Sequence, residues 1–297
     1  MKNILFTFIG TLLALQIQAQ IKGTVVNAVD KKPIPYVNIW VENENIGVTA
    51  DEEGKFTIAA STSSKLVFNA LGYENKLIEV TKIDRTIYLT PKAIELKEVK
   101  VISKKESLEY KVGSFRSGII NSFYARNDYT PYVVARYFPY QTEYEKTPFI
   151  KSIMPYCKSN IADAKFRVRV YSRDKNGLPG DEILKNNIII TVKKGSSKPV
   201  INLSEYNLVF PESGIFIGFE FMFLESNRYN YTTTDSKTKQ KLKRTSIEPA
   251  FGTISSELDL KQSLKNINGK WAKLSFGYPF KDRKNRDLLA IELTLTN

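Results

Sequence analysis

Apolar side chains recur at every second residue, in short runs about ten residues apart, and this pattern decides most of what the chain can fold into. Val37, Ile39 and Val41 alternate with Asn38, Trp40 and Glu42. Phe56, Ile58 and Ala60 form a second row, and Leu66, Phe68 and Ala70 a third. Because an extended chain turns successive side chains to opposite faces, each row gives a strand with one face for a core. Asp51-Glu52-Glu53-Gly54 lies between two such rows and reads as a hairpin turn, with Gly54 taking positive φ. Ile87 and Leu89 flank Tyr88 in a short strand before Pro91. Helical periodicity is scarce, so the pattern predicts antiparallel sandwiches and not βαβ units.

A second block with the same period begins near Ser107. Phe166, Val168 and Val170 point one way, Arg167, Arg169 and Tyr171 the other. Ile188 to Val192 and Val200 to Leu203 follow as strands. Gly214 to Leu224 is apolar on both faces apart from Glu220, which predicts a central strand. Leu289, Ile291, Leu293 and Leu295 read as one closing strand. Between the blocks, Ile94 to Glu106 alternates in charge and reads as an extended connector. At 297 residues the chain is about twice a typical domain. The expected organisation is all-β: a leader at 1–19, a first β-sandwich at 20–92, a linker at 93–106, and a jelly-roll-like sandwich of about eight strands at 107–297.

The leader reading rests on Lys2, the mostly apolar run Ile4 to Ile17, and small Ala19, after which cleavage is expected. The run is too short to span a hydrocarbon core of about 30 Å. No cysteine follows it to carry a lipid anchor. Export is therefore expected, to the periplasm, the outer membrane or the exterior.

Residues Ile21 to Leu89 resemble the carboxypeptidase-regulatory-like domain, a transthyretin-like Greek-key sandwich common in exported proteins of Bacteroidetes-type bacteria. The resemblance is carried by Gly23-Thr24-Val25, by Lys32-Pro33-Ile34-Pro35-Tyr36-Val37, and by Ile46-Gly47-Val48-Thr49-Ala50-Asp51 with Gly54-Lys55-Phe56-Thr57-Ile58. Leu66-Val67-Phe68 and Leu71-Gly72-Tyr73 complete it. These are turn residues and inward apolar residues, a signature of fold without chemistry. The resemblance implies an accessory module. In outer-membrane receptors such a module precedes a segment similar to Ile94–Val101, but the remaining about 190 residues are too few for a plug and a large barrel.

The chain contains no histidine and a single cysteine, Cys157. Imidazole-based nucleophilic systems, His-ligated zinc and internal disulfides are thereby excluded. Three acidic groups were weighed for chemistry. Asp174, Asn176 and Asp181 offer oxygen donors that suit Ca²⁺, or simply a hairpin turn. Asp51, Glu52 and Glu53 offer a cation site or a solvated turn. Glu220, on an apolar strand, is the acid expected to have a raised pKa, unless it pairs with an arginine or faces the surface. No cofactor is expected.

The net charge of +13 is concentrated in the second block: 13 Lys and Arg stand against 11 Asp and Glu in residues 20–105, and 30 against 20 in residues 106–297. Arg228, Lys237, Lys239, Lys241, Lys243 and Arg244 form a cluster opposed only by Asp235, in a polar stretch read as a long exposed loop. Its functional reading is an anionic partner; its bland one is a solvated loop. A second candidate surface is the tyrosine-rich stretch with Tyr124, Tyr129, Tyr132, Tyr137 and Tyr140, whose rings would stack on sugars or pack in a core. The expectation is a non-catalytic, exported binding or scaffold protein of the cell envelope. Its partner would be an envelope protein or a glycan and not nucleic acid, with peripheral outer-membrane contact. The alternative is a carbohydrate-binding protein that uses the tyrosine-rich surface, with or without Ca²⁺.

Overall fold

The computed structural model describes residues 19–92, 104–126, 130, 132–256, 263–267, 269–274 and 286–297. The leader, most of the connector and Tyr129 lie outside the described residues. Every described helix is a short 3-10 turn, the longest covering Thr142–Lys146. The architecture is all-β.

The first unit contains β1 (Ala19–Asn27), β2 (Asn38–Val41), β3 (Gly47–Thr49), β4 (Lys55–Ala60), β5 (Lys65–Asn69), β6 (Lys76–Glu79) and β7 (Thr86–Leu89). They form two sheets, in the orders β4-β1-β7 and β3-β2-β5-β6. The alternation seen in sequence is what joins them. Ile39, Val41, Phe56, Ile58, Leu66 and Phe68 all enter one core between the sheets. The turn before β4 is closed by Asp51, whose Oδ1 accepts from the Glu53 and Lys55 amides at 3.0 and 2.7 Å. Gly54 there has φ +70°, the conformation expected from the sequence.

The second unit follows with β8 (Glu109–Val112), β9 (Ile120–Arg126), β10 (Tyr132–Phe138), β11 (Phe149–Pro155), β12 (Cys157–Ser159) and β13 (Ala164–Arg173). Next come β14 (Pro179–Glu182), β15 (Ile189–Val192), β16 (Gly195–Ser197), β17 (Ile201–Asn202) and β18 (Ile215–Phe221). The chain closes with β19 (Arg228–Thr234), β20 (Lys241–Ser256), β21 (Ser263–Ile267), β22 (Lys270–Lys273), β23 (Arg286–Leu289) and β24 (Ile291–Thr296). These strands fall into three sheets and outnumber the eight or so expected. One has the order β14-β13-β18-β10-β21-β22, with β15 also on β13. A second runs β17-β11-β24-β8. The third runs β16-β12-β20-β19, with β9 and β23 also on β20.

β18 is central, as its apolar faces predict: it lies between β13 and β10, and all seven of its residues are buried. Ile215, Ile217, Phe219 and Phe221 face the main core with Phe166, Val168 and Phe251. Two elements depart from expectation. The closing segment is two strands, because at Ala290 the chain leaves β20 and crosses to β11, so that one apolar run serves two sheets. The basic stretch is not a loop: β19 and β20 form a hairpin paired from Arg228↔Ile247 to Thr234↔Lys241.

Candidate functional site

The outer face of β18 carries the acid that the sequence reading singled out. Glu220 pairs directly across from Arg167 on β13, while Arg169 faces Gly218. With no side chain at Gly218, Arg169 reaches diagonally to the same carboxylate. Arg167 Nη1 donates to Glu220 Oε1 at 3.1 Å, and Arg169 Nε donates to Oε2 at 2.5 Å. Arg169 Nη1 also grips both Glu182 oxygens, at 2.9 and 2.8 Å. Arg167 and Glu220 are each 1% exposed, so the cluster is removed from solvent.

The first unit covers it. Asn38 of β2 donates its side-chain amide to Glu220 Oε1, and the Tyr36 carbonyl accepts from Arg167 Nη2 at 2.6 Å. Thr49 of β3 donates to Asn38 Oδ1 at 3.2 Å. Its backbone N–H donates to the Phe223 carbonyl at 3.1 Å, while the Phe223 N–H donates to Thr49 Oγ1 at 2.8 Å. Tyr36 packs on Met222 and Leu224 beside these bonds. The cluster is thus a clamp between the two units. Farther along the same face of β2 the units stand apart, leaving a cleft of about 540 Å³ lined by Trp40, Glu42, Val67, Ile267 and Lys270.

Of the alternatives open for Glu220, pairing with arginine is the one found, and a raised pKa is not. Burial alone would raise it, but the Arg167 and Arg169 charges outweigh burial and hold the carboxyl down at about 2. The carboxylate is a fixed anion with its oxygens occupied, not a proton donor near neutral pH. Glu182, half-buried and hydrogen-bonded to Arg169, is shifted up because burial outweighs the pull of the two arginines. The chemical signal missed in sequence was the Arg167/Arg169 face, which alternation assigns to solvent.

The other candidates disperse. Tyr124 and Tyr132 are core residues, 8% and 0% exposed, with their rings stacked at 5.5 Å and their hydroxyls hydrogen-bonded to each other. Tyr137 donates to the Ser213 carbonyl at 2.9 Å and lies against Phe216. Tyr140 packs on Tyr144 and Phe210. These tyrosines do not share one exposed face. Asp174 spends its Oδ1 on the Asn176 and Leu178 amides of a tight turn. Among the described residues, no group of three or more His, Cys, Asp or Glu is placed to hold a metal. Cys157 is fully buried, and burial pushes its thiol well above the usual range.

The basic residues do come together. Lys237, Lys239, Lys241, Lys243 and Arg244 are exposed on the β19–β20 hairpin. Asp235 shapes its tip, accepting from the Lys237 and Thr238 amides at 2.9 and 2.7 Å. Asn227 fastens its root: the side-chain amide donates to the Lys165 and Met222 carbonyls at 2.7 and 2.9 Å, and Oδ1 accepts from the Lys165 N–H at 2.8 Å.

An all-β architecture, a clamp between two units and a basic hairpin arm define the class: a β protein of two interlocked units. Residues 21–101 match the family model of the CarboxypepD_reg-like domain, a carboxypeptidase-regulatory-like module. No curated protein matches the chain.

Proposed function

We propose that the protein is an exported, non-catalytic binding or scaffold protein of the cell envelope. Its first sandwich is an accessory module, and its second unit, jelly-roll-like in plan, presents the recognition surface. The observation that carries this reading is the fate of Glu220. The acid most suited by sequence to chemistry is saturated by Arg167, Arg169 and Asn38, and so serves to fuse two units. The regulatory-like match of residues 21–101 supports the accessory role. The partner is an envelope protein or a glycan. Export removes residues 1–19, and location is periplasmic, at the outer membrane or extracellular.

The test is fractionation of cells expressing the full chain, with intact-mass measurement of the product. A species beginning at Gln20 in the envelope or medium is expected; an unprocessed cytosolic chain would refute export. Any turnover by purified protein, lost in Glu220→Gln with the fold intact, would refute the non-catalytic assignment.

A further inference from the structure

The β19–β20 hairpin has two chemically different faces, and its register defines them. Residues directly opposite in an antiparallel pair share a face. Tyr229, Tyr231 and Thr233 therefore lie with Ser246, Arg244 and Leu242. Asn230, Thr232 and Thr234 lie with Thr245, Lys243 and Lys241. On the first face the Tyr229 and Tyr231 rings are nearly parallel, 11° apart with centroids at 5.7 Å, and Tyr231 is paired with Arg244. The second face alternates ammonium groups with hydroxyls and an amide. Seven residues of β19 span about 23 Å.

We propose that this hairpin is a binding arm for an acidic polysaccharide. The inference rests on the binding-protein reading above and names the partner's chemistry. Each part of the arm suits that class. Parallel phenol rings offer a platform for the apolar face of a pyranose, and their hydroxyls offer hydrogen bonds at its rim. Arg244, on the ring face, meets a carboxylate or sulfate beside the rings, while the lysines at 237, 239, 241 and 243, at the tip and on the opposite face, add a cationic field that draws the chain in. The charges are strung along the hairpin and are not gathered in one pocket, which matches an extended polymer better than a single headgroup. These two rings stand outside the tyrosine-rich stretch Tyr124 to Tyr140.

The experiment uses the mature full chain with polygalacturonate, neutral dextran, polyphosphate, a single-stranded DNA oligomer and phosphatidylglycerol vesicles. Saturable binding to polygalacturonate is expected, stronger than to the other four and weakening as salt rises. Tyr229→Ala/Tyr231→Ala should lower that affinity by about tenfold, while the corresponding Phe pair keeps most of it. Arg244→Glu should abolish it, and Lys241→Glu/Lys243→Glu should weaken it and flatten its salt dependence. Protection of Cys157 from a thiol reagent reports that each variant is folded, because that thiol is buried in the core. Preference for polyphosphate, DNA or vesicles, binding unchanged in the Tyr→Ala pair, or no binding at all would each overturn the proposal. None of these results bears on leader removal or turnover, so the two readings fail separately.

Discussion

Glu220 gains its stability from neighbours that a solvent-facing position would lack, and this has a definite pH signature. Its carboxyl is held down at about 2, against an ordinary value of 4.5. A group depressed in the folded state stabilises above its unfolded pKa and loses that contribution as pH falls toward the folded one. The clamp should therefore be intact above about pH 5 and weaken progressively between pH 4.5 and 2, as followed by thermal melts across that window. Glu182, shifted up, works in the opposite sense and costs stability once ionised. Glu220→Gln leaves the buried Arg167 guanidinium without its anion and Arg169 with Glu182 alone, and should lower stability by about 3–5 kcal/mol in denaturant titration at neutral pH. Gly54 provides a second residue-scale test. A Cβ there would meet the Val25 carbonyl oxygen at 2.6 Å, with φ at +70°. Gly54→Ala should cost about 2 kcal/mol, measured by the same titration.

Strands were legible from sequence where their burial is local. Ile39, Phe56, Ile58 and Phe68 face a core built by their immediate neighbours, so period two alone assigns them. β18 was legible because both faces are apolar. The Arg167/Arg169 face of β13 was not, since what buries it lies more than a hundred residues away in β2 and β3. Burial of Tyr124 and Tyr132 likewise depends on which sheet face they occupy, a property composition does not encode. The β19–β20 hairpin did carry a signal: Tyr229, Tyr231 and the threonines to Thr234 are strand-favouring residues before an Asp-led turn, but the lysines masked it. A two-stranded ribbon is marginal by itself and depends on its root. Asn227→Ala removes three hydrogen bonds there, one of them buried and two part-buried, and should speed amide exchange across β19 by at least about tenfold, read by mass spectrometry, with less change in β18.

Across the whole molecule, the two units are joined firmly at one end of a shared face and loosely at the other. Asn38, Thr49 and Tyr36 close on β13 and β18, while Trp40 borders the cleft. Asn38→Ala/Thr49→Ala therefore removes the side-chain hydrogen bonds from the first unit to Glu220 and Phe223, leaving Tyr36 and Glu52 as the remaining side-chain contacts and its own core untouched. Limited proteolysis of this variant should release the first unit from the second at protease levels the parent withstands. Equal resistance of the two proteins would mean that the clamp does not couple them.

Lys165 occupies a singular position in this arrangement. Its backbone is gripped by Asn227 at the foot of the arm, and its ammonium reaches Glu52 of the first unit at 3.4 Å. A pull exerted on the arm by a tethered polymer is thus handed straight to the middle of a sheet and, one residue away, to the neighbouring sandwich. Such a load is shared among hydrogen-bonded strands lying side by side, β13 against β18.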